Sequence, residues 1–582
     1  FFSHRDIMVQ FCVFCVFLCL IHHNSTFSVP PQINNYSPNS LKPKHRQLSL
    51  SLATATVDDS SKPDVVIIGS GVGGLVAANI LKNVYKKSVL VLESHYNAGG
   101  CAHSFELKGH TFESGPTILL GCSSPPYNPL RQVLDLCGLS VDWIPYKSWG
   151  VLGDGDDWDL ELGVEGFKKH LRENGRLKAL EEFNGLREIT RSLAESASTI
   201  PAMAMRADSN PTPLLLRHLP SLVSLLSQPS NGLGPFDPYI NGPIFKVSDP
   251  WLRSWLDALS FSLSGVDAAS TPASAIAYVL YDMHREGATL DYPRGGMGSI
   301  VDELVRGIGG IGNGLLLRKQ VEGIVLDERG ERAEGVIVGG EVIKAKEGII
   351  CNAPVWALPR LMKGQQTQST EMEEYLKIAS ATPYTRSYLH LHLVLNSTGL
   401  DLSSLRPHYT VFDKGLVGDA EQVLAQGNMI AVSNPCVLDP TLSKEGTIVM
   451  HAYCCGNEDF AIWEQWEGNG MQRDREGYER KKKERAECLW RSVNKVIGDD
   501  ARERVVEEYV GTPLTHKRFL SRFKGTYGAT PSGLLKNGQT PIPNLFLCGD
   551  SVFPGIGVPS VALSGAAAAN SFVSSFRQML KY

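Results

Sequence analysis

A strand-like run followed directly by a cluster of glycines constrains the fold of this chain more than any other feature. Residues 64–68 read Asp-Val-Val-Ile-Ile, and the motif Gly69-Ser70-Gly71-Val72-Gly73-Gly74 follows. The β-branched run predicts a central strand of a parallel sheet, covered on both faces. The glycines permit a tight turn, close approach of the backbone to a pyrophosphate and close packing of the next helix. The segment therefore predicts a unit that binds a nucleotide at a helix N-terminus.

A second apolar run, Val89–Leu92, ends in Glu93. At this distance from the glycine motif, a carboxylate can accept hydrogen bonds from both ribose hydroxyls of an adenosine and disfavours a 2′-phosphate. Gly99 and Gly100 follow in a stretch too short for another helix, so a second backbone loop can approach the pyrophosphate. A glycine-rich turn that binds no ligand would not explain why a strand, the glycines, a helix, a second strand and an acid follow one another at these spacings.

A glycine-bearing segment near the end of the chain predicts the other side of the same site. Residues 544–548 predict a last strand that ends at Gly549 and Asp550, and the small residues of 564–569 predict a helix able to approach something flat. The backbone amides near Gly557 and Val558, before that helix, would supply positive potential.

The middle of the chain predicts a return to the nucleotide-binding sheet. The junction 291–298 contains Tyr292-Pro293 and Gly295-Gly296 and precedes a predicted helix at 300–307. The alternating run at 321–325 and the further runs at 335–338 and 348–352 predict strands.

Composition bounds the class of protein. With 582 residues, 43% of them hydrophobic, the chain can form more than a single ordinary domain. A net charge of -5 with both signs scattered gives no field for steering nucleic acid, and we expect no nucleic-acid partner. The oligomeric state is left open.

The first 61 residues predict a transit peptide and linker. Residues 8–57 contain no Asp or Glu, but they contain several serines together with Lys42, Lys44 and Arg46. This composition favours an organelle address, plastid first, over a secretory signal at 9–21. No segment is long and apolar enough to span a bilayer.

These motifs resemble the FAD-dependent amine-oxidase-like superfamily, whose fingerprint continues into a glycine pair such as Gly99-Gly100. Residues 510–519, 525–528 and 549–564 resemble the plant and cyanobacterial prolycopene (carotenoid) isomerases and, more loosely, the bacterial phytoene desaturases. Residues 99–105 look more like the all-trans-retinol saturases.

The resemblance implies an α/β fold, a FAD-binding Rossmann-like two-domain architecture with an interleaved substrate domain of mixed sheet and helices. We expect the FAD-binding domain in three parts, 62–150, 290–365 and 506–582, and the substrate domain in two, 151–289 and 366–505. The backbone at Val321 would pack against the adenine. The expected FAD-binding residues are Gly69, Gly71, Gly73, Gly74, Glu93, Gly99, Gly100, Val321, Gly549, Asp550, Gly557 and Val558.

The implied function is that of a FAD-dependent enzyme acting on a hydrophobic polyene, most directly cis-to-trans isomerisation of poly-cis lycopene by reduced flavin. Desaturation, or reduction of the saturase kind, is the alternative. A flavin oxidase of a polar substrate and a non-catalytic relative like the GDP dissociation inhibitors also stay open. Because a carotenoid is insoluble in water, we expect peripheral contact with a plastid membrane, with residues 214–226 as a candidate interfacial segment.

Catalytic side chains are not assigned by the sequence. His516, Arg518 and Tyr527 match family positions near the flavin segment and could line the substrate tunnel, and Glu113 is a weaker candidate for a proton donor. His390 and His392 alternate, so they share one strand face. With no third ligand in view we expect no metal site and interpret the pair as a polar sheet face.

Overall fold

The structure is a computed structural model that describes residues 62–153, 155–198, 201–220, 223, 247–365 and 369–581. The predicted transit peptide, residues 1–61, lies outside the described residues, as does most of the second half of the candidate segment 214–226. The described residues belong to one compact unit.

The described strands form two larger sheets and three small ones. In chain order they are β1 (Val65–Ile68), β2 (Val89–Leu92), β3 (Ser104–Leu107), β4 (His110–Glu113), β5 (Leu119–Leu120), β6 (Trp143–Tyr146), β7 (Ser148–Leu152), β8 (Trp158–Glu161), β9 (Leu290–Pro293), β10 (Leu315–Leu316), β11 (Gly323–Leu326), β12 (Ala333–Val338), β13 (Glu341–Lys344), β14 (Gly348–Cys351), β15 (His390–Asn396), β16 (His408–Phe412), β17 (Met429–Ser433), β18 (Thr447–Cys454), β19 (Val505–Gly511) and β20 (Leu545–Leu547).

The described α-helices surround these sheets. They are α1 (Val72–Asn79), α2 (Pro129–Leu136), α3 (Gly166–Glu173), α4 (Leu177–Ser198), α5 (Thr212–Arg217), α6 (Pro250–Ser264), α7 (Ala273–Met283), α8 (Gly298–Gly307), α9 (Leu358–Leu361), α10 (Thr370–Ala381), α11 (Ala420–Val423), α12 (Gly470–Arg473), α13 (Arg475–Ile497), α14 (Pro513–Leu520), α15 (Val558–Asn570) and α16 (Ser575–Met579). Within the part of the chain that the structure describes, no helix combines the length and apolarity needed to cross a membrane.

A five-stranded parallel sheet is assembled from segments far apart in the chain, in the order β10-β2-β1-β14-β20. All four residues of β1 are buried, as predicted for a strand covered on both faces. Because the strands are parallel, the ends of β1, β2, β14 and β20 meet at one edge. The glycine motif, Glu93, Asn352 and Gly549 all lie at or near this edge.

The predicted strand at 321–325 differs from the observed one. Strand β11 begins at Gly323 and belongs to a separate antiparallel sheet with β12 and β13, so Val321 precedes the strand. In the middle of the chain, β10 and β14 return to the parallel sheet, and Cys351 of β14 lies opposite Ile68 of β1.

Glycines allow two close backbone contacts of helix α1, one with the turn after β1 and one with α15. A Cβ on Gly74 would lie 2.3 Å from the Gly69 carbonyl oxygen, which explains why α1 needs glycine there to pack on β1. A Cβ on Gly565 would lie 2.2 Å from the Gly73 carbonyl oxygen. The expectation that the small residues of 564–569 face a flat ligand is therefore wrong at Gly565, which packs on α1, and the cavity contacts of α15 lie in its first turns.

A seven-stranded mixed sheet, in the order β19-β15-β18-β17-β16-β7-β8, forms the second large sheet. Its central strands β15 and β18 pair antiparallel, with His392 opposite His451. His390 and His392 share one face of β15, as the alternation predicted. Both strands are buried nearly throughout, so this face is buried and is not a solvated polar one.

Candidate active site

A cavity of about 1870 Å³ opens at the carboxyl edge of the parallel sheet. Its volume exceeds the roughly 300–1,000 Å³ of an ordinary small-molecule pocket, so it can hold a large cofactor and a second ligand. Of the expected FAD-binding residues, Gly74 does not line it and instead packs α1 on β1. The others all do: Gly69, Gly71, Gly73, Glu93, Gly99, Gly100, Val321, Gly549, Asp550, Gly557 and Val558.

Glu93 is held rigidly at the end of β2. Its Oε2 accepts hydrogen bonds from the Ser70 backbone N–H at 2.8 Å and the Ser70 hydroxyl at 2.7 Å, and its Oε1 accepts from the His95 backbone N–H at 2.8 Å. The side chain is largely buried but still lines the cavity. A carboxylate fixed in this way is an acceptor aimed at ligand hydroxyls.

The second glycine loop packs on the first. The Gly99 backbone N–H donates to the Ser70 carbonyl oxygen at 3.0 Å, and Gly71 and Gly99 form a bridge. Gly99 and Gly100 have φ of 106° and 57°, and a Cβ on Gly99 would lie 2.6 Å from Val301. Glycine at position 99 is therefore required by both conformation and space.

Asn352 is a site residue that the sequence analysis missed. It follows β14, and its backbone N–H donates to the Ile68 carbonyl oxygen at 2.8 Å. A Cβ on Gly71 would meet its Nδ2 at 2.6 Å, and one on Gly73 would meet its Oδ1 at 2.8 Å. The amide therefore fills the space between the glycine turn and Gly549. Its place directly after a buried strand at the carboxyl edge of the sheet was the signal available.

The N-terminus of α15 faces the cavity without a side-chain cap. Gly557 is the capping residue, with φ of 104°, no side chain accepts from the first turn, and that turn holds no acid. Val558 and the first-turn residues line the cavity. The first-turn backbone amides of this 13-residue helix, which have no side-chain acceptor, supply positive potential there.

Arg522 is a second residue that the sequence did not single out. Its Nη1 lies 2.7 Å from Asp550 Oδ2, and its Nε donates to the Thr526 carbonyl oxygen at 2.7 Å. Burial lowers the pKa of this guanidinium, but the Asp550 carboxylate outweighs it, and the net pKa is raised. Its Nη2 is buried and has no partner among the described residues, although Arg522 lines the cavity. That nitrogen is available to an acceptor atom of a ligand.

The side chains considered for catalysis are separated by the structure. His516 and Tyr527 line the cavity, whereas Arg518 is exposed outside it. Burial lowers the pKa of His516 to about 3 and raises that of Tyr527, so both are neutral.

Glu113 does not line the cavity. It accepts from Tyr292 Oη at 3.0 Å, the Met297 N–H at 2.9 Å and Ser104 Oγ at 2.7 Å, and burial raises its pKa. Those contacts give it a structural role at the junction of β4, β9 and α8.

The residues at the cavity fit a dinucleotide flavin. Two glycine loops allow the backbone to approach a pyrophosphate, and a fixed carboxylate stands where a ribose would be bound. The uncapped helix and the unpartnered Arg522 nitrogen supply donors for an anionic ring edge. Together with the parallel sheet, these features define a flavin-dependent oxidoreductase.

The chain belongs to the flavin containing amine oxidoreductase family, whose model matches residues 72–389. It is therefore an enzyme with FAD as its cofactor, and the non-catalytic alternative is set aside. The FAD-binding fold expected from the sequence is confirmed.

Relatives agree with this membership, and solved structures share the fold. The chain is 30% identical to the chloroplastic prolycopene isomerase of Arabidopsis thaliana over 90% of this chain and 86% of the relative, and 27% identical to the human all-trans-retinol 13,14-reductase over 84% and 82%. An oxidoreductase from Methanosarcina mazei matches with a TM-score of 0.55 at 18% identity, covering 86% of this chain and 98% of the other. The cyclohexylamine oxidase of Brevibacterium oxydans matches with a TM-score of 0.54 at 15% identity, covering 90% and 100%.

Proposed function

We propose that this enzyme isomerises a poly-cis polyene, of which poly-cis lycopene is the model substrate, to the all-trans form with reduced FAD. The proposal is supported by 30–31% identity to several enzymes named prolycopene isomerases, over most of both chains. Other relatives are named all-trans-retinol 13,14-reductases, and retinol also has a conjugated chain. These names favour a polyene over a polar amine as the substrate.

The observation that carries the proposal is the continuity of the cavity. The space that begins at the glycine loops extends to a hydrocarbon wall that includes Leu120, Leu214, Leu263 and Val279. A polyene has no polar groups to satisfy, so an apolar wall binds it through burial alone. A polar amine would leave its ammonium unpaired against such a wall.

Isomerisation needs no net oxidation or reduction of the substrate. The chemistry that bound reduced FAD supplies is reversible donation of electrons to the polyene, which lowers the order of one double bond and allows rotation about it. The side chains around the cavity bind and orient the chain. Because Tyr527 and His516 are held neutral, this part of the wall presents aromatic surface without charge.

The two large sheets support the proposed division into domains. We assign FAD binding to the segments that contribute the parallel sheet and its loops, and substrate binding to those that contribute the seven-stranded sheet and the helices α4 to α7. Strand β19 belongs to the seven-stranded sheet, so its residues go to the substrate domain, although 506–511 were expected in the FAD-binding one. The parallel sheet draws its strands from residues 65–92, 315–316, 348–351 and 545–547, which supports a FAD-binding domain in three parts. The expected FAD-binding residues other than Gly74 would contact the cofactor.

The proposed location is a plastid, in contact with a membrane. The acid-free N-terminal composition and the chloroplastic relatives support the address. Helices α5 and α16 pack together and expose Leu216, Phe576 and Leu580, while Leu214 of α5 lines the cavity. We propose that this surface, Leu216 with Phe576 and Leu580, rests on the bilayer from which the polyene enters.

Expression in a bacterium that accumulates poly-cis lycopene, followed by pigment chromatography against an empty-vector strain, tests the proposal. Formation of all-trans lycopene, with the number of conjugated double bonds unchanged, supports isomerisation. New pigments with more conjugated double bonds would assign a desaturase, and pigments with fewer would assign a reductase. A pigment profile identical to that of the empty-vector strain would contradict action on this polyene.

A further inference from the structure

Four buried histidines from three elements come together beside the cavity, and one of them, His516, lines it. His390 and His392 lie on β15, His451 lies opposite on β18, and His516 lies on α14. Each is less than a tenth exposed. The sequence could not predict this cluster, because it is the register between β15 and β18 that brings His451 beside His390 and His392.

The ring nitrogens are close enough to share an ion. One nitrogen from each of His390, His392 and His451 lies within 4.8 Å of the other two. His390 Nδ1 and His451 Nε2 are 2.8 Å apart, and the rings of His392 and His451 stack at 4.1 Å. A tetrahedral ion with metal–nitrogen bonds of about 2.0–2.1 Å needs nitrogens roughly 3.3 Å apart. The planes of the His392 and His451 rings are 20° apart, so one of these rings has to turn out of the stack before both in-plane lone pairs can reach the same ion.

The cluster is also short of hydrogen-bond partners. The Nδ1 atoms of His392, His451 and His516 are buried and have no partner among the described residues. Unpaired polar atoms in a protein interior are rare and call for an explanation such as an ion. Aromatic rings cover the cluster, since Phe105 and Phe112 meet His392 edge-on and Tyr453 lies 4.7 Å from His451.

We propose that His390, His392 and His451 form a binding site for a divalent transition metal, with zinc as the ion that three neutral imidazoles and a buried position favour. The fourth histidine, His516, has a different role. His390 Nε2 lies 2.6 Å from His516 Nε2, so a proton on His390 Nε2 can be donated to His516. That hydrogen bond leaves His390 Nδ1 as the ligand atom, and His516 is a positioning residue.

The ion would tie β15 to β18 beside Tyr388 and His516, which line the cavity. This is a structural role that stabilises the wall, and it does not depend on which polyene the enzyme binds or on whether it isomerises one.

Metal analysis of the flavin-loaded full-length protein, expressed without a histidine tag, tests the site. The protein is treated with a chelator, loaded with zinc chloride, desalted and analysed by elemental mass spectrometry. We expect about one zinc per chain. Loading with cobalt chloride should give the visible bands of tetrahedral nitrogen coordination. A wild-type protein that keeps its FAD but retains no zinc above the buffer blank would overturn the proposal and leave a plain hydrogen-bonded histidine chain.

Variants locate the ion. His451→Gln should abolish retention, and His392→Gln provides the same test if the first variant fails to fold, as judged by FAD content. His516→Gln should weaken zinc binding by about 10–100-fold, the usual effect of losing a partner to a ligating histidine. His408→Gln is the control, since His408 is equally buried on the same sheet but is hydrogen-bonded to Thr117 and Tyr146. Equal retention by His451→Gln, His392→Gln and His408→Gln would place the ion elsewhere and refute the site.

Discussion

Arg522 and Asp550 form a buried ion pair, 2.7 Å between Nη1 and Oδ2, that joins the segment after α14 to the end of β20. Their side chains are only 9% and 17% exposed. The pair therefore fixes the loop that carries Asp550 against the cavity while leaving one guanidinium nitrogen unpartnered.

Replacing Arg522 by Met should destabilise the protein by about 3 kcal/mol, because Asp550 is left as a largely buried charge without a cationic partner. Urea unfolding measures this loss, and flavin absorbance measures the accompanying loss of FAD. The double variant Arg522→Met/Asp550→Leu should recover most of the stability but not the FAD. Recovery of both would show that the pair is structural only.

The crossing of α1 and α15 should make Gly73 intolerant of a side chain. In Gly73→Ala the new Cβ would lie 2.8 Å from Asn352 Oδ1, 3.0 Å from the Val561 carbonyl oxygen and 3.3 Å from the Gly549 nitrogen. We expect a marked fall in FAD bound per chain, measured by absorbance after desalting. Gly153→Ala is the matched control, because its Cβ would come no closer than 3.7 Å to another group. Equal flavin content in the two variants would argue against this cradle.

The buried His408 should contribute to the pH dependence of stability. Burial lowers its pKa to about 3 from a value of 6.5, so below pH 6.5 the unfolded chain binds a proton that the folded protein does not. Its contribution is fully present above pH 6.5 and is lost as the pH falls towards 3. His408→Gln should reduce the slope of the unfolding free energy against pH by about 1.4 kcal/mol per unit between pH 6 and roughly 4. Urea unfolding of both proteins across that range measures it, and parallel curves would contradict the burial.

Membrane binding through the proposed surface, Leu216 with Phe576 and Leu580, should be sensitive to charge. Leu216 and Phe576 are 61% and 68% exposed, and the double variant Leu216→Asp/Phe576→Asp should bind phosphatidylcholine vesicles at least ~10-fold more weakly, because two apolar side chains no longer enter the bilayer. Co-sedimentation measures binding. Val417→Asp, at a residue 62% exposed on another part of the surface, should bind like the wild type. If all three proteins bind equally, this surface does not contact the membrane.

Local sequence patterns predicted the parts of the fold that are encoded locally. The run before Gly69, the acid at the end of β2 and the small residues near the C-terminus each carry their own signal, and the strands and helices around them are confirmed. The partners of these elements were not predictable in the same way. The sequence predicted that Gly565 faces a ligand, but it packs on α1. This contact could not be predicted locally, because only the tertiary fold brings Gly73 beside Gly565.

The residues missed by the sequence analysis have long-range partners. Asn352 lies against the glycine turn, Arg522 pairs with Asp550, and His451 is placed beside His392 by the register of β15 and β18. Each occurs in a sequence context with no motif of its own. The pair at His390 and His392 was visible, but its burial and its third histidine depend on sheet pairing that alternation alone does not specify.

The most direct test of the central claim is an anaerobic turnover experiment with purified protein, chemically reduced FAD and poly-cis lycopene. Chromatography follows the polyene while absorbance follows the redox state of the flavin. We predict all-trans product in many-fold excess over flavin, with the flavin still reduced at the end and no change in the number of conjugated double bonds. A product that has gained or lost double bonds, formed in proportion to the flavin consumed or to added electron acceptor or donor, would contradict isomerisation as the reaction.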